Sequence, residues 1–294
     1  MKPSRFEYHR PNTVEEAVGL LAEFGDDAKV LAGGQSLVPL LALRLTSVEH
    51  LIDLNRIAEL QGITQDAGGG ALTMAAMTRQ ATVERSADVA EVVPLLSRAV
   101  PYIGHFQIRN RGTVGGSVAH ADPASELPAV ALALDAEVHV TSARGARTVA
   151  ASDLFKGTWT TSIMADELVT ALRFPVWSGR CGFAVEEFAR RKGDFAIAGA
   201  VCGVEVGDDG MIRRVAIALM GMGSTPVRAV DAEALLAGRA PDAAQIEEAG
   251  RVAAAAGEPA DDIHAPAAYR RRVAAHLVGR ALNRALEEAR NGRG

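Results

Sequence analysis

The chain has 294 residues, 48% of them hydrophobic and 23% charged, a globular composition that excludes intrinsic disorder. Lys and Arg number 31 against 36 Asp and Glu, and the resulting net charge of −5 argues against nucleic acid as the main partner. Two cysteines, Cys181 and Cys202, give no disulfide framework and no zinc or iron–sulfur ligand spacing, and no apolar run approaches the ~18 residues of a membrane span.

The length suits about two domains, each with its own core. Met1–Pro11 lacks the apolar segment of a signal peptide, so the expected location is cytoplasmic. Thr13–Phe24 places Val14, Ala17, Val18, Leu21 and Phe24 on one helical face, with Asn12 or Thr13 as cap. A short strand at Lys29–Ala32 follows, then a tight glycine turn and an apolar, helical Leu37–Leu45. Leu51–Leu54 reads as a strand, and Ile63–Gln65 with Ala71–Ala75 reads as a hairpin around Asp66–Gly70. Helices are expected at Thr82–Asp88 and Val92–Val100. A second glycine turn at Gly112–Ser117 leads to a helical Leu127–Leu134.

Strands follow at Ala136–Thr141, Arg147–Ala150 and Leu168–Phe174, the last stopped by Pro175, where a domain boundary is expected. Phe183–Ala189, Ala196–Val206 and Met211–Leu219 read as three antiparallel strands, and Asp231–Leu236, Ala243–Ala256 and Ala267–Arg290 as helices. The C-terminal third is therefore α+β. Only 4% of residues are aromatic, so Ala, Val and Leu must fill much of the core.

Ala32-Gly33-Gly34-Gln35-Ser36 and Thr113-Val114-Gly115-Gly116-Ser117 each pair adjacent glycines with a following hydroxyl. Adjacent glycines let a phosphate approach backbone N–H groups, and serine donates one more bond, so two such turns suit a pyrophosphate. Each is also compatible with a plain tight turn. Neither is followed by Lys-Ser/Thr, and neither is GxGxxG, which weakens ATPase, kinase and nicotinamide readings. His105 and His120 bracket the second turn without a carboxylate ligand pattern, so no metal and no catalytic acid, base or nucleophile is assigned.

Three motifs in register carry a resemblance: Ala32–Ser36; Ile108–Ser117 with Ala121-Asp-Pro-Ala-Ser-Glu126; and Arg190-Arg-Lys-Gly-Asp-Phe-Ala196. With Gly223–Ala229 they make the chain similar, over nearly its whole length, to the FAD-binding medium subunit of molybdenum hydroxylases. This is the carbon monoxide dehydrogenase medium-chain group, related to the xanthine dehydrogenase flavin domain. The resemblance implies an α+β protein. Residues 1–175 would form the two-subdomain FAD-binding fold of the vanillyl-alcohol oxidase (PCMH) type, split roughly at 1–56 and 57–175, and 176–294 a smaller α+β domain.

It also implies that Ala32–Ser36 with Leu37, and Thr113–Ser117, wrap the FAD pyrophosphate and neighbouring sugars. Asp122 and Glu126 match acidic positions near flavin hydroxyls or ring N–H groups. Leu168 matches a backbone contact, Phe195 an aromatic near the isoalloxazine, and Lys192 a positive charge near the flavin. The implied partners are a small [2Fe-2S] subunit and a large molybdopterin subunit, commonly as a dimer of heterotrimers. Electrons would pass from the clusters to FAD and on to oxygen, a quinone or a nicotinamide. Two positions depart from the pattern: Val185-Glu-Glu-Phe188 lacks a lysine found in some relatives, and Glu126 stands where aspartate is common. A stand-alone FAD oxidase on the same fold, or a non-redox nucleotide-binding protein, are the alternatives.

Overall fold

The structure, a computed structural model, describes residues 2–292. Strand β1 (Glu7–His9), helix α1 (Val14–Phe24), β2 (Ala28–Leu31), α2 (Leu37–Ala42) and β3 (His50–Asp53) form the first lobe. Its sheet is parallel, in the order β1-β3-β2, so its strands need crossovers, and α1 supplies the one from β1 to β2. The Thr13 hydroxyl caps α1, accepting from the Glu16 N–H at 3.1 Å. Ala17, Val18 and Leu21 bury the face expected from the sequence. The apolar stretch after the first glycine turn stays helical only to Ala42, because Arg44 turns left-handed at φ +58°.

The second lobe opens with the hairpin β4 (Ile63–Gln65) and β5 (Ala71–Ala75), with the bounds that its glycine-rich turn suggests. Short helices follow: α3 (Gln80–Arg85), α4 (Ala87–Val92), α5 (Pro94–Ala99), α6 (Phe106–Arg111), α7 (Val114–His120) and α8 (Glu126–Ala133). The single helix expected at 82–88 is two, because the Ser86 hydroxyl accepts from Val89 N–H at 3.2 Å and starts a new one. After β6 (Glu137–Ser142), β7 (Gly145–Ala150), α9 (Ala151–Leu154), β8 (Phe155–Gly157) and β9 (Thr160–Thr161), strand β10 (Leu168–Pro175) returns to the centre of a sheet ordered β4-β5-β10-β6-β7. Helix α8 is buried all round.

The C-terminal part is a four-stranded antiparallel sheet of β11 (Arg180–Phe188), β12 (Ala198–Val206), β13 (Ile212–Met220) and β14 (Val227–Arg228). Helices α10 (Val230–Leu236), α11 (Ala243–Ala255) and α12 (Ala267–Asn291) back it. Small residues let helix and sheet approach closely: a side chain at Gly182 would overlap the Ala285 carbonyl, and Ala274, Ala281, Ala285 and Ala289 are fully buried. This is where the alanine-rich composition goes. The other face of the sheet shares its core with the second lobe, Val201, Ala216, Ala218 and Met220 packing in one cluster with α5 and α8. Polar ties cross the seam: Arg98 holds Glu288 at 2.7 Å, and Gly221 N–H donates to Pro123 O at 2.9 Å. Among the described residues no helix is long and apolar enough to cross a membrane.

Candidate functional site

Folding brings the two glycine motifs into direct contact. Gly33 lies against the backbone of Arg111 and Gly112, so closely that any side chain there would overlap the Arg111 carbonyl. A Cβ on Gly116 would lie 3.2 Å from the Ala32 methyl. Each motif thus forms part of the other's wall.

Their local structures differ. Ala32–Ser36 is an open turn with Gly34 at φ +74°, a left-handed conformation that suits glycine. Among the described residues, none accepts a hydrogen bond from the amides of Gly34, Gln35, Ser36 or Leu37. The Ser36 hydroxyl makes no cap bond either. The Gln35 side chain folds back, its Nε2 donating to Gly33 O at 3.1 Å. Four consecutive free amides beside the Ser36 hydroxyl are a set of donors that can serve an anion.

The second motif is not the expected turn with exposed amides. Thr113 is the N-cap of α7, its hydroxyl accepting from Gly116 N–H at 3.1 Å, and Val114–Ser117 are the first turn of that helix. Val114 N–H donates to Thr78 O at 3.0 Å, Gly115 N–H to Ala76 O at 2.8 Å and Ser117 N–H to Thr113 O at 3.1 Å. Its glycines serve approach: a Cβ on Gly115 would sit 2.5 Å from the Ala76 Cβ.

A polar frame that sequence reasoning missed braces the first turn. Asp53, at the end of β3, accepts from Asn55 N–H at 2.8 Å, and Asn55 Nδ2 donates to Ala32 O at 3.1 Å. Arg79 donates to Asn55 Oδ1 at 2.6 Å and to the Arg111 carbonyl, tying both motifs together. Burial pushes the Asp53 carboxyl up, but hydrogen bonds from Tyr8 and Asn55 outweigh it and hold it below its ordinary value. No spacing rule would have found these residues, because each acts through a tertiary contact.

Asp122 follows α7. Its Oδ1 accepts from Ala124 N–H at 2.9 Å and its Oδ2 from the Trp159 indole at 3.0 Å. Trp159 is 61% exposed, stacks on His120 and has φ +56°, a strained backbone for a non-glycine residue. The strain is held by that indole bond and by Trp159 N–H donating to Ala121 O. The rarity of aromatics was the one available signal for it. Burial lowers the His120 pKa, with Lys29 acting in the same direction and Asp122 against.

Glu126 starts α8 and is only 6% exposed. Burial pushes its carboxyl up to about 8, and the charges of Glu187 and Asp122 add to the rise. Burial alone raises Glu187 to about 7, and its Oε2 has no hydrogen-bond partner. The segment 185–188 thus brings a second carboxyl, that of Glu187, within electrostatic reach of Glu126. Leu168, at the start of β10, is buried in the first-lobe cluster with Met77 and Leu60. Lys192 and Phe195 come from the loop between β11 and β12 and are exposed, Phe195 by 60%. Gly193 seats this loop against Gly104 and His105, just before α6. The structure therefore keeps Leu168 in the core beneath the first lobe and Lys192 and Phe195 on an exposed loop beside the segment that leads into α6.

A two-lobed domain with a paired glycine cradle and an α+β domain behind it defines a class, the two-subdomain FAD-binding flavoproteins. The comparisons narrow it. Residues 4–177 match the family "FAD binding domain in molybdopterin dehydrogenase", and residues 183–285 match the "CO dehydrogenase flavoprotein C-terminal domain". The chain is 41% identical over 290 residues to the 6-hydroxypseudooxynicotine dehydrogenase complex subunit alpha of Paenarthrobacter nicotinovorans, covering 99% of this chain and 97% of the relative. A chain of carbon monoxide dehydrogenase from Hydrogenophaga pseudoflava superposes with a TM-score of 0.95 at 40% identity, covering 98% of this chain and 99% of that one. Quinoline 2-oxidoreductase from Pseudomonas putida 86 gives a TM-score of 0.92 at 34% identity, covering 98% and 99%. The chain belongs to the FAD-binding medium subunits of molybdenum hydroxylases, oxidoreductase complexes, and its cofactor is FAD.

Proposed function

We propose that the chain is the exit station for electrons in its complex, taking them from a small [2Fe-2S] subunit and passing them to an external acceptor. The complex would be a cytoplasmic dimer of heterotrimers, completed by a large molybdopterin subunit. FAD, when bound, supplies the redox chemistry, and the chain positions and tunes it. The observation that carries the reading is the run of free amides at Gly34–Leu37 with the Ser36 hydroxyl, a donor set that fits a pyrophosphate.

In this reading the FAD domain spans 1–175, in subdomains 1–56 and 57–175, and the C-terminal domain 176–294. Ala32–Leu37 hold the pyrophosphate directly, while Thr113–Ser117 set the position of that turn and close the cradle from the other side. Asp122 and Glu126 offer acceptors to flavin or sugar hydroxyls. Trp159 provides a fixed aromatic wall. The Leu168 backbone touches the cofactor from the floor, and Phe195 and Lys192 cover the isoalloxazine edge. No residue acts as general acid, base or nucleophile.

The test is the visible spectrum of the purified chain, followed by acid release and mass identification of the chromophore. FAD at about one per chain, reduced on mixing with a reduced [2Fe-2S] partner subunit, supports the reading. Well-folded protein that cannot take up FAD overturns it. Turnover of small alcohols by the isolated chain would instead make it a self-sufficient oxidase.

A further inference from the structure

Away from the glycine cradle, three metal-ligating side chains converge on the outer edge of the first lobe. Strands β1 and β3 pair in parallel with Glu7 opposite His50 and His9 opposite Ile52. Side chains alternate along a strand, so Glu7 and His9 share one face of β1 while Tyr8 points to the other. The result places His9 Nε2 3.1 Å from His50 Nδ1, and Glu7 Oε2 3.7 Å from the same His50 nitrogen. One ligand atom from each residue lies within 4.8 Å of the other two.

The imidazoles are held in place. Phe24, at the end of α1, stacks on His50 with ring centroids 3.7 Å apart and 7° between planes, and His9 leans on the same ring at 5.1 Å. Both histidines are half-buried, while Glu7 is exposed and leaves the cluster open to solvent on its side.

Only one proton fits between two ring nitrogens, and the glutamate oxygen gains little from it. A divalent cation satisfies all three lone pairs at once. Around a tetrahedral zinc with bonds of 2.0–2.1 Å, ligand atoms stand about 3.3 Å apart. The observed 3.1 and 3.7 Å bracket that edge. Two imidazoles and one carboxylate suit zinc, nickel, cobalt or copper rather than magnesium or calcium.

We propose that Glu7, His9 and His50 form a binding site for a divalent transition metal of the zinc class, with the remaining position open to water. The site clamps β1 to β3. It also reaches the cradle: Tyr8, between the two β1 ligands, donates to Asp53, which holds Asn55 and through it Ala32 O. Its role is therefore structural, bracing the lobe that carries the first glycine turn. The pattern is invisible in sequence, because the two histidines lie 41 residues apart and meet only through the parallel pairing.

The test uses the full chain, free of any affinity tag and stripped of metal, titrated with zinc chloride alone by calorimetry. Saturable binding at micromolar zinc, with a melting point a few degrees higher, is expected. His9→Ala and His50→Ala should each weaken binding by at least about tenfold. Glu7→Gln, at an exposed edge where folding is not at stake, should weaken it less, and His276→Ala should leave it unchanged. Cobalt substitution should give the visible absorption of a tetrahedral site, absent from the histidine variants. No saturable binding in the wild type, or unchanged binding in a folded His9→Ala/His50→Ala double variant, overturns the proposal.

Discussion

The two glycine motifs look alike in sequence and do different physical work. Ala32–Ser36 keeps its amides free and its backbone open, whereas Thr113–Ser117 spends every amide from Val114 to Ser117 inside the protein. In the first, Gly34 supplies a left-handed backbone and Gly33 the close approach to Arg111 and Gly112 that leaves the following amides unspent. The glycines of the second remove side chains so that α7 can press against Ala76 and Ala32. A Gly-Gly-x-Ser or Gly-Gly-Ser string therefore signals close approach, and whether the approaching group is a ligand or the protein itself depends on what lies opposite.

The largest effect is expected from Gly33→Ala, because its methyl would collide with the Arg111 backbone where the motifs meet. It should cost on the order of 3 kcal/mol and lower the melting temperature by roughly 5–10 °C, with FAD lost from the purified chain. Retention of full FAD and wild-type melting would mean that the contact between the motifs is not what holds the cradle.

A pair of milder variants separates the two roles. Thr113→Val removes the α7 cap and should cost about 1 kcal/mol of stability, leaving FAD uptake near normal at saturating cofactor. Ser36→Ala should leave the melting of the FAD-free chain unchanged and weaken FAD binding by about tenfold, the loss expected for a hydrogen bond to a charged group. Reversed results in equilibrium dialysis and thermal melting would exchange the roles assigned to the motifs.

A pH-dependent stability is expected at Glu126, which lies just beyond the second motif. The Glu126 carboxyl is raised from 4.5 to about 8, so the folded state holds its proton more tightly than the unfolded chain does. The stability it contributes is complete below pH 4.5 and is lost as pH rises through about 8. Glu187, raised to about 7, acts in the same sense. Melting temperature should fall by a few degrees between about pH 6 and pH 9, and Glu126→Gln should flatten that slope. An equally steep slope in the variant would place the titrating group elsewhere.

The smallest effect on the fold is expected from Phe195→Ala, since that ring is 60% exposed. Melting should stay within about 0.5 kcal/mol of wild type in stability, while the visible spectrum or fluorescence of bound FAD changes. An unaltered flavin spectrum would remove Phe195 from the site.

Legibility in the sequence followed the range of the forces involved. The β4–β5 hairpin was readable to the residue, because a glycine-rich turn between two short apolar stretches is a local signal. The first glycine turn was readable as a turn for the same reason. The second is a helix rather than the expected turn because its state depends on contacts with Ala76, Thr78 and Ala32, thirty or more residues away in the chain. Asp53, Asn55, Arg79 and Trp159 carried no motif at all. The family resemblance pointed to Asp122, Glu126 and Phe195, but not to the half-buried carboxyl of Glu187, whose charge adds to the rise in the Glu126 pKa.

By itself the sequence determined turns such as the one between β4 and β5, which helical faces are apolar, and that Ala, Val and Leu must fill much of the core. Those properties rest on backbone freedom and periodicity within a few residues. Only the tertiary structure decided that the glycine motifs face each other, which of their amides stay free, and that Glu7, His9 and His50 meet at one edge. Each of these is set by pairing between segments distant in the chain, and the burial and hydrogen-bond satisfaction that fix such pairings exist only once the lobes have packed.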